Sequence, residues 1–97
     1  RTPVSGVFAV EVRGLGQVQQ GVANLGTRPT LGGEHVGLEV HLLNFQGDLY
    51  GKHLRVMFRH KIRDEKKFDG LDALTAAIQQ DIETAKQFFA KQKSKGN

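Results

Sequence analysis

The sequence contains no cysteine, no apolar run of membrane length, and few aromatics: six Phe and one Tyr in 97 residues. Without cysteine there is no disulfide framework and no thiolate zinc site, and a reducing, cytoplasmic setting fits. A membrane-spanning helix needs ~20 apolar residues in succession, and nothing here approaches that. The start, RTPVSGVF, lacks the charged stretch leading into an apolar one that marks a secretory leader. It begins with Arg1 rather than Met and runs almost at once into a strand-like pattern, so a piece cut from a longer protein is expected. Proteins that stack single-stranded nucleic acid need exposed aromatics. Here most of the aromatics fall at positions that read as core or loop anchors.

What is present suits one small soluble globular domain: 38% apolar and 25% charged residues. The net charge of +4 is unevenly placed. Residues 52–67 carry seven Lys/Arg against two acids, whereas residues 1–51 carry three Arg against four acids and residues 68–97 are balanced. Such a cluster attracts anions, whether nucleic acid, nucleotide or phosphate, or is simply a solvated strand face.

Strand periodicity comes first. From Val7 to Arg13, Phe8, Val10 and Val12 share a face, and Gly14-Leu15-Gly16 is a turn signal. Val18 to Leu25 reads as the hairpin partner, with Gly21 a bulge or close-approach point. Gly26 to Gly33 reads as a loop broken by Pro29 and Gly32-Gly33. Val36, Leu38, Val40 and Leu42 alternate as a strand. Asn44 to Gly51 is turn-rich. Leu54, Val56, Phe58 and Ile62 then line one face of another strand, with Arg55, Arg59 and Lys61 opposite. After Phe68 the period changes: Leu71, Leu74, Ile78, Ile82, Ala85 and Phe89 form one helix face. Asp69 is the candidate N-cap, Asp72 favours the positive helix start, and the tail from Lys91 is expected to fray. The strands are expected at about 5–63 and the helix at about 70–91. This order predicts a mainly β domain, a small antiparallel barrel or curled sheet with one C-terminal helix packed on it. Four or five strands would leave an edge open, which points to a missing strand.

No short motif decides the chemistry. Gly14-x-Gly16 is not a dinucleotide fingerprint, and Gly47 to Lys52 lacks the spacing of a phosphate-binding loop. His41 and Glu39, two apart on one strand face, are a weak metal pair beside the commoner reading of a half-exposed polar face. Glu39 interrupts an apolar strand. By period alone it is a solvent-facing residue, since burying an unpaired carboxylate costs several kcal/mol.

Three longer strings carry a resemblance. Residues 21–30, GVANLGTRPT, resemble the segment GVANxGxRPT of bacterial riboflavin kinases. Residues 38–51, LEVHLLNFQGDLYG, resemble their EVHLLDFDGDLYG, and residues 63–69, RDEKKFD, their RDExKFD. The similarity runs in order across nearly the whole chain and continues into the helix. It implies a six-stranded antiparallel Greek-key barrel, incomplete here, with a C-terminal helix. It implies transfer of the γ-phosphoryl group of Mg-ATP to the riboflavin 5′-hydroxyl. It also implies a nucleotidyltransferase domain upstream in the same polypeptide, which adenylylates FMN to FAD. Two departures stand out. The family's metal- and phosphate-binding Pro-Thr-Ala-Asn motif belongs before the first strand and is absent, so no metal ligand is expected in this chain; Arg28-Pro29-Thr30 is part of a later loop. Asn44 and Gln46 stand where many relatives carry Asp.

By resemblance the general base is Glu39. An ordinary carboxylate cannot deprotonate an alcohol in advance, but it can orient the hydroxyl and take its proton as the bond to phosphorus forms. Arg63, Glu65 and Phe68, before the helix, are the expected flavin contacts, with Phe68 also a candidate helix anchor. Asn24, Arg28 and Tyr50 are candidates for lining the nucleotide site or pocket. Two other classes stay open: a small basic barrel that binds nucleic acid, and a non-catalytic interaction domain. The favoured expectation has riboflavin, FMN, ATP and ADP as partners, with neither nucleic acid nor membrane.

Overall fold

The computed structural model describes residues 5–95. Its elements are β1 (Gly6–Arg13), β2 (Gln19–Thr30), β3 (Gly33–Leu42), β4 (Arg55–Arg63) and α1 (Leu71–Lys95). The strands form one antiparallel sheet in the order β3-β2-β1-β4. Three hairpin-connected strands with the fourth returning beside the first make a Greek key. Among the described residues the sheet is not closed: β3 and β4 are its two edges. The expectation of a mainly β Greek key with one C-terminal helix holds, as an open four-stranded sheet. The expected domain start at residues 1–4 lies outside the described residues.

The central strand β1 is buried on both sides. Phe8, Val10 and Val12 pack with Ala23 on the inner face, away from α1, where Phe8 meets Phe58 edge-on at 5.0 Å. Ala9 packs on the outer face against Ala85 and Phe89 of α1. The inner face thins out toward the edges, leaving Val36, Leu38, Val40 and Phe58 partly exposed.

Four local expectations need correction. Residues 26–33 are not a loop. β2 runs on to Thr30, and only Leu31 and Gly32 turn into β3. Pro29 is tolerated because β1 pairs β2 only as far as Leu25, so beyond that point β2 has one neighbour and an N–H is not needed on its other side. Ile62 does not share a face with Phe58. Register shifts against β1 insert extra residues in β4, so Phe58 faces inward while His60 and Ile62 face α1. The helix is capped at Gly70, whose carbonyl accepts the Leu74 N–H at 3.1 Å; Asp69 precedes the cap. The helix continues past Lys91 to Lys95, on good helix formers whose lysines suit the negative end of its dipole. At Gly21 the close approach is what appears: an added Cβ would sit 2.8 Å from the His41 carbonyl oxygen, in a regular ladder.

Candidate functional site

Four residues line up across the sheet. Arg63 on β4 is the register partner of Val7 on β1, Val7 of Asn24 on β2, and Asn24 of Glu39 on β3. Directly opposed residues of an antiparallel sheet share a face, and here it is the outer face, toward α1.

The sheet and the first half of α1 diverge over this row. Leu71, Leu74 and Ile78 continue the apolar stripe of the helix yet stay exposed, while Ala85 and Phe89 further along are buried against the sheet. The result is a cleft of about 430 Å³. Its floor is Val7, Val22 and Asn24, its helical wall Leu74, Ile78 and Ile82, and its rims Glu39 and His41 on one side and Arg63, Lys66 and Phe68 on the other. Its size and mixed lining are those of a small-molecule site.

Two charged assemblies hold it. Arg63 donates to Asp81 of α1 through both Nε (2.9 Å) and Nη2 (2.8 Å), and through Nη1 to the Asp64 carbonyl (3.0 Å). Asp81 is only 5% exposed, so this fork is a buried tie between the end of β4 and the helix. On the other side Arg28 reaches two carboxylates, Glu65 at 3.2 Å and Glu39 at 3.7 Å. Glycines make the room: a Cβ at Gly26 would land on the Glu65 carboxylate, and one at Gly37 would come within 3.1 Å of the Arg28 stem. Phe68 lies within cation–π distance of two cations, Arg63 at 5.6 Å and Lys66 at 5.7 Å from its ring centre. Asp64 ion-pairs with Lys61 at 2.7 Å, and this bond and charge hold its carboxyl below the usual aspartate range.

Of the residues singled out from sequence, Glu39, Asn24, Arg63 and Phe68 line the cleft, and Arg28 and Glu65 are joined to Glu39 at its rim. The Glu39 side chain is 77% exposed. Tyr50 does not join them. It projects from the β3–β4 loop, 92% exposed, where its N–H caps the Asp48 side chain. Sequence reasoning missed Asp81, Lys66 and the cleft role of Leu74 and Ile78. The available signal for Asp81 was its place on the apolar stripe, three after Ile78 and four before Ala85. Among the described residues no group of three His, Asp or Glu could hold a metal ion. The side chains described here do not fit a metal site by themselves.

The family model of riboflavin kinase (flavokinase) matches residues 1–89. The chain belongs to the riboflavin kinase family. It is 55% identical over 89 residues to the bifunctional riboflavin kinase/FMN adenylyltransferase of Escherichia coli (strain K12), covering 91% of this chain and 28% of that protein. It thus spans little more than a quarter of that relative's length. It is 38% identical over 86 residues to the RNA-binding riboflavin kinase RibR of Bacillus subtilis (strain 168), covering 87% of this chain and 37% of that protein. The crystal structure of a macrolide-efflux protein from Streptococcus pneumoniae has the same fold, with a TM-score of 0.78 and 32% identity over 89% of this chain and 28% of that one. Among the described residues no helix is long and apolar enough to cross a membrane.

Proposed function

We propose that this chain moves the γ-phosphoryl group of ATP to the riboflavin 5′-hydroxyl, as the kinase part of a bifunctional enzyme whose other part adenylylates FMN to FAD. The observation that carries the reading is the cleft, with an apolar wall for a flat ring and one unburied carboxylate, Glu39, at its rim. The flavin ring lies along Leu74, Ile78 and Phe68, and its side chain runs over Asn24 toward Glu39. As the new O–P bond forms and the bond from the γ-phosphorus to its bridging oxygen breaks, Glu39 accepts the hydroxyl proton and ADP leaves. Arg28 holds the Glu39 carboxylate in place, and Glu65 joins the flavin-side loop to the same guanidinium. Arg63, committed to Asp81, shapes the flavin end. Tyr50 stays a candidate for the nucleotide side. ATP would enter as its Mg²⁺ complex, the ion coming with the substrate, where it would supply charge neutralisation. A cytoplasmic setting suits these substrates.

The basic segment gives limited support to a nucleic-acid reading. Three of its seven cations are already paired: Arg59 with Glu11 at 2.6 Å, Lys61 with Asp64 and Arg63 with Asp81. Binding driven by counterion release should be correspondingly weak and vanish near physiological salt.

The test is FMN formation by the full-length protein from riboflavin and ATP, followed by chromatography. Production of FMN with ADP in equal amounts supports the reading, and a protein that binds riboflavin without ever phosphorylating it contradicts it.

A further inference from the structure

One polar atom in the cleft floor has no partner among the described residues: Asn24 Oδ1 is buried and accepts no hydrogen bond from them. Such atoms are rare, because leaving a buried acceptor unpaired costs free energy that an apolar side chain of similar shape would not. Asn24 sits in the middle of the cross-sheet row, between Val7 and Glu39. Its neighbours on the same face of β2 are Val22, which is apolar, and Gly26, whose open space is filled by the Glu65 carboxylate, an acceptor rather than a donor. Arg28, the nearest cation along that face, is spent on Glu65 and Glu39. Among the described residues, no donor answers Asn24 Oδ1.

We infer that Asn24 is a specificity residue that recognises a hydroxyl of the substrate's polyhydroxyl chain, next to the one that reacts at Glu39. This rests on the flavin reading above. The spacing supports it. Directly opposed residues of a sheet have Cβ atoms about 5 Å apart, so a hydroxyl at Asn24 lies about one or two carbons along the chain from a hydroxyl at Glu39. The chemistry matches as well. A carboxamide offers an acceptor and donors side by side, and a hydroxyl both donates and accepts. A site built to pair a substrate hydroxyl discriminates strongly against an analogue that lacks it, since its own polar group is then left unpaired. Asn24 therefore separates flavins that carry the polyol from those that do not.

The experiment compares two ligands on the full-length protein: riboflavin, and lumiflavin, which has the same ring with a methyl in place of the polyol. Binding is read by flavin fluorescence and fold stability by Tm without ligand. Asn24→Leu fills the same space and removes the orphaned acceptor. The expected result is an unchanged or raised Tm, riboflavin Kd weaker by about tenfold, the scale of one lost hydrogen bond, and lumiflavin Kd within about twofold. Asn24→Ser, which shortens the side chain and keeps it polar, carries the same comparison if the leucine variant fails to fold. If the parent binds riboflavin and both variants bind it equally well, or if both flavins weaken alike, Asn24 does not read the polyol. If the parent binds neither flavin, the flavin reading falls and this inference with it.

Discussion

At the scale of single residues the site depends on where charge is hidden. Asp81 is almost fully buried, and the fork from Arg63 satisfies both of its oxygens. Removing one partner of such a pair strands the other, which costs more than the pair itself contributes. Arg63→Met should therefore destabilise the fold by about 3 kcal/mol in urea denaturation, and adding Asp81→Leu should recover most of that loss. A small effect from the single change with no recovery in the double would show that the fork is incidental. Glu39, Asn24, Arg63 and Phe68 were legible because motif strings carried them. Asp81 was not, because an acid on a helix reads as solvated until the guanidinium of Arg63 is seen forked onto it. The orphaned oxygen of Asn24 was invisible for the same reason: burial is a property of neighbours that the local pattern does not name.

At the scale of elements, the segment between β4 and α1 is what turns a sheet and a helix into a cleft. It is pinned at Lys61–Asp64, at Arg28–Glu65 and at Arg63–Asp81. The Glu65 pin needs Gly26. Gly26→Ala would push the flexible Glu65 carboxylate off β2, with an expected stability loss of no more than about 1 kcal/mol and a raised KM for riboflavin, visible in thermal melts and steady-state kinetics; an alanine variant whose KM matches the parent's would mean that Glu65 is not seated there. The Asp64 pin has a pH signature. Its carboxyl titrates below the usual aspartate range in the fold because of Lys61, so its stabilisation is complete above the unfolded pKa and is lost as pH falls through the lowered one. The effect is small, since the group is fully exposed. Comparing Tm against pH for the parent and Lys61→Met should show the variant losing less stability in that acid window; parallel curves would discount the pair. The strand and helix periods made the elements legible, but two of their features were not. Pro29 and the Gly32-Gly33 pair signalled a loop because nothing local says that β2 outruns its neighbour β1. The register shifts of β4 that turn Ile62 toward α1 arise from pairing with β1 and have no mark in β4 itself.

At the scale of the whole molecule, a Greek key covers its inner face only partly and lends its outer face to a helix that packs at one end and diverges at the other. That divergence opens the candidate cleft. The same apolar stripe anchors α1 through Ala85 and Phe89 and lines the cleft through Leu74, Ile78 and Ile82. A stripe of this kind reads as core along its full length, so the site could be placed only by folding it against the sheet. Across that cleft the central proposed role is that of Glu39, as acceptor of the flavin hydroxyl proton. Glu39→Gln keeps the shape and removes the base. In the full-length protein the single-turnover rate of FMN formation should fall by about 10²-fold or more, while riboflavin affinity, set by the apolar wall and Asn24, stays within about twofold of the parent. A Glu39→Gln protein that phosphorylates riboflavin at nearly the parent rate would contradict the account.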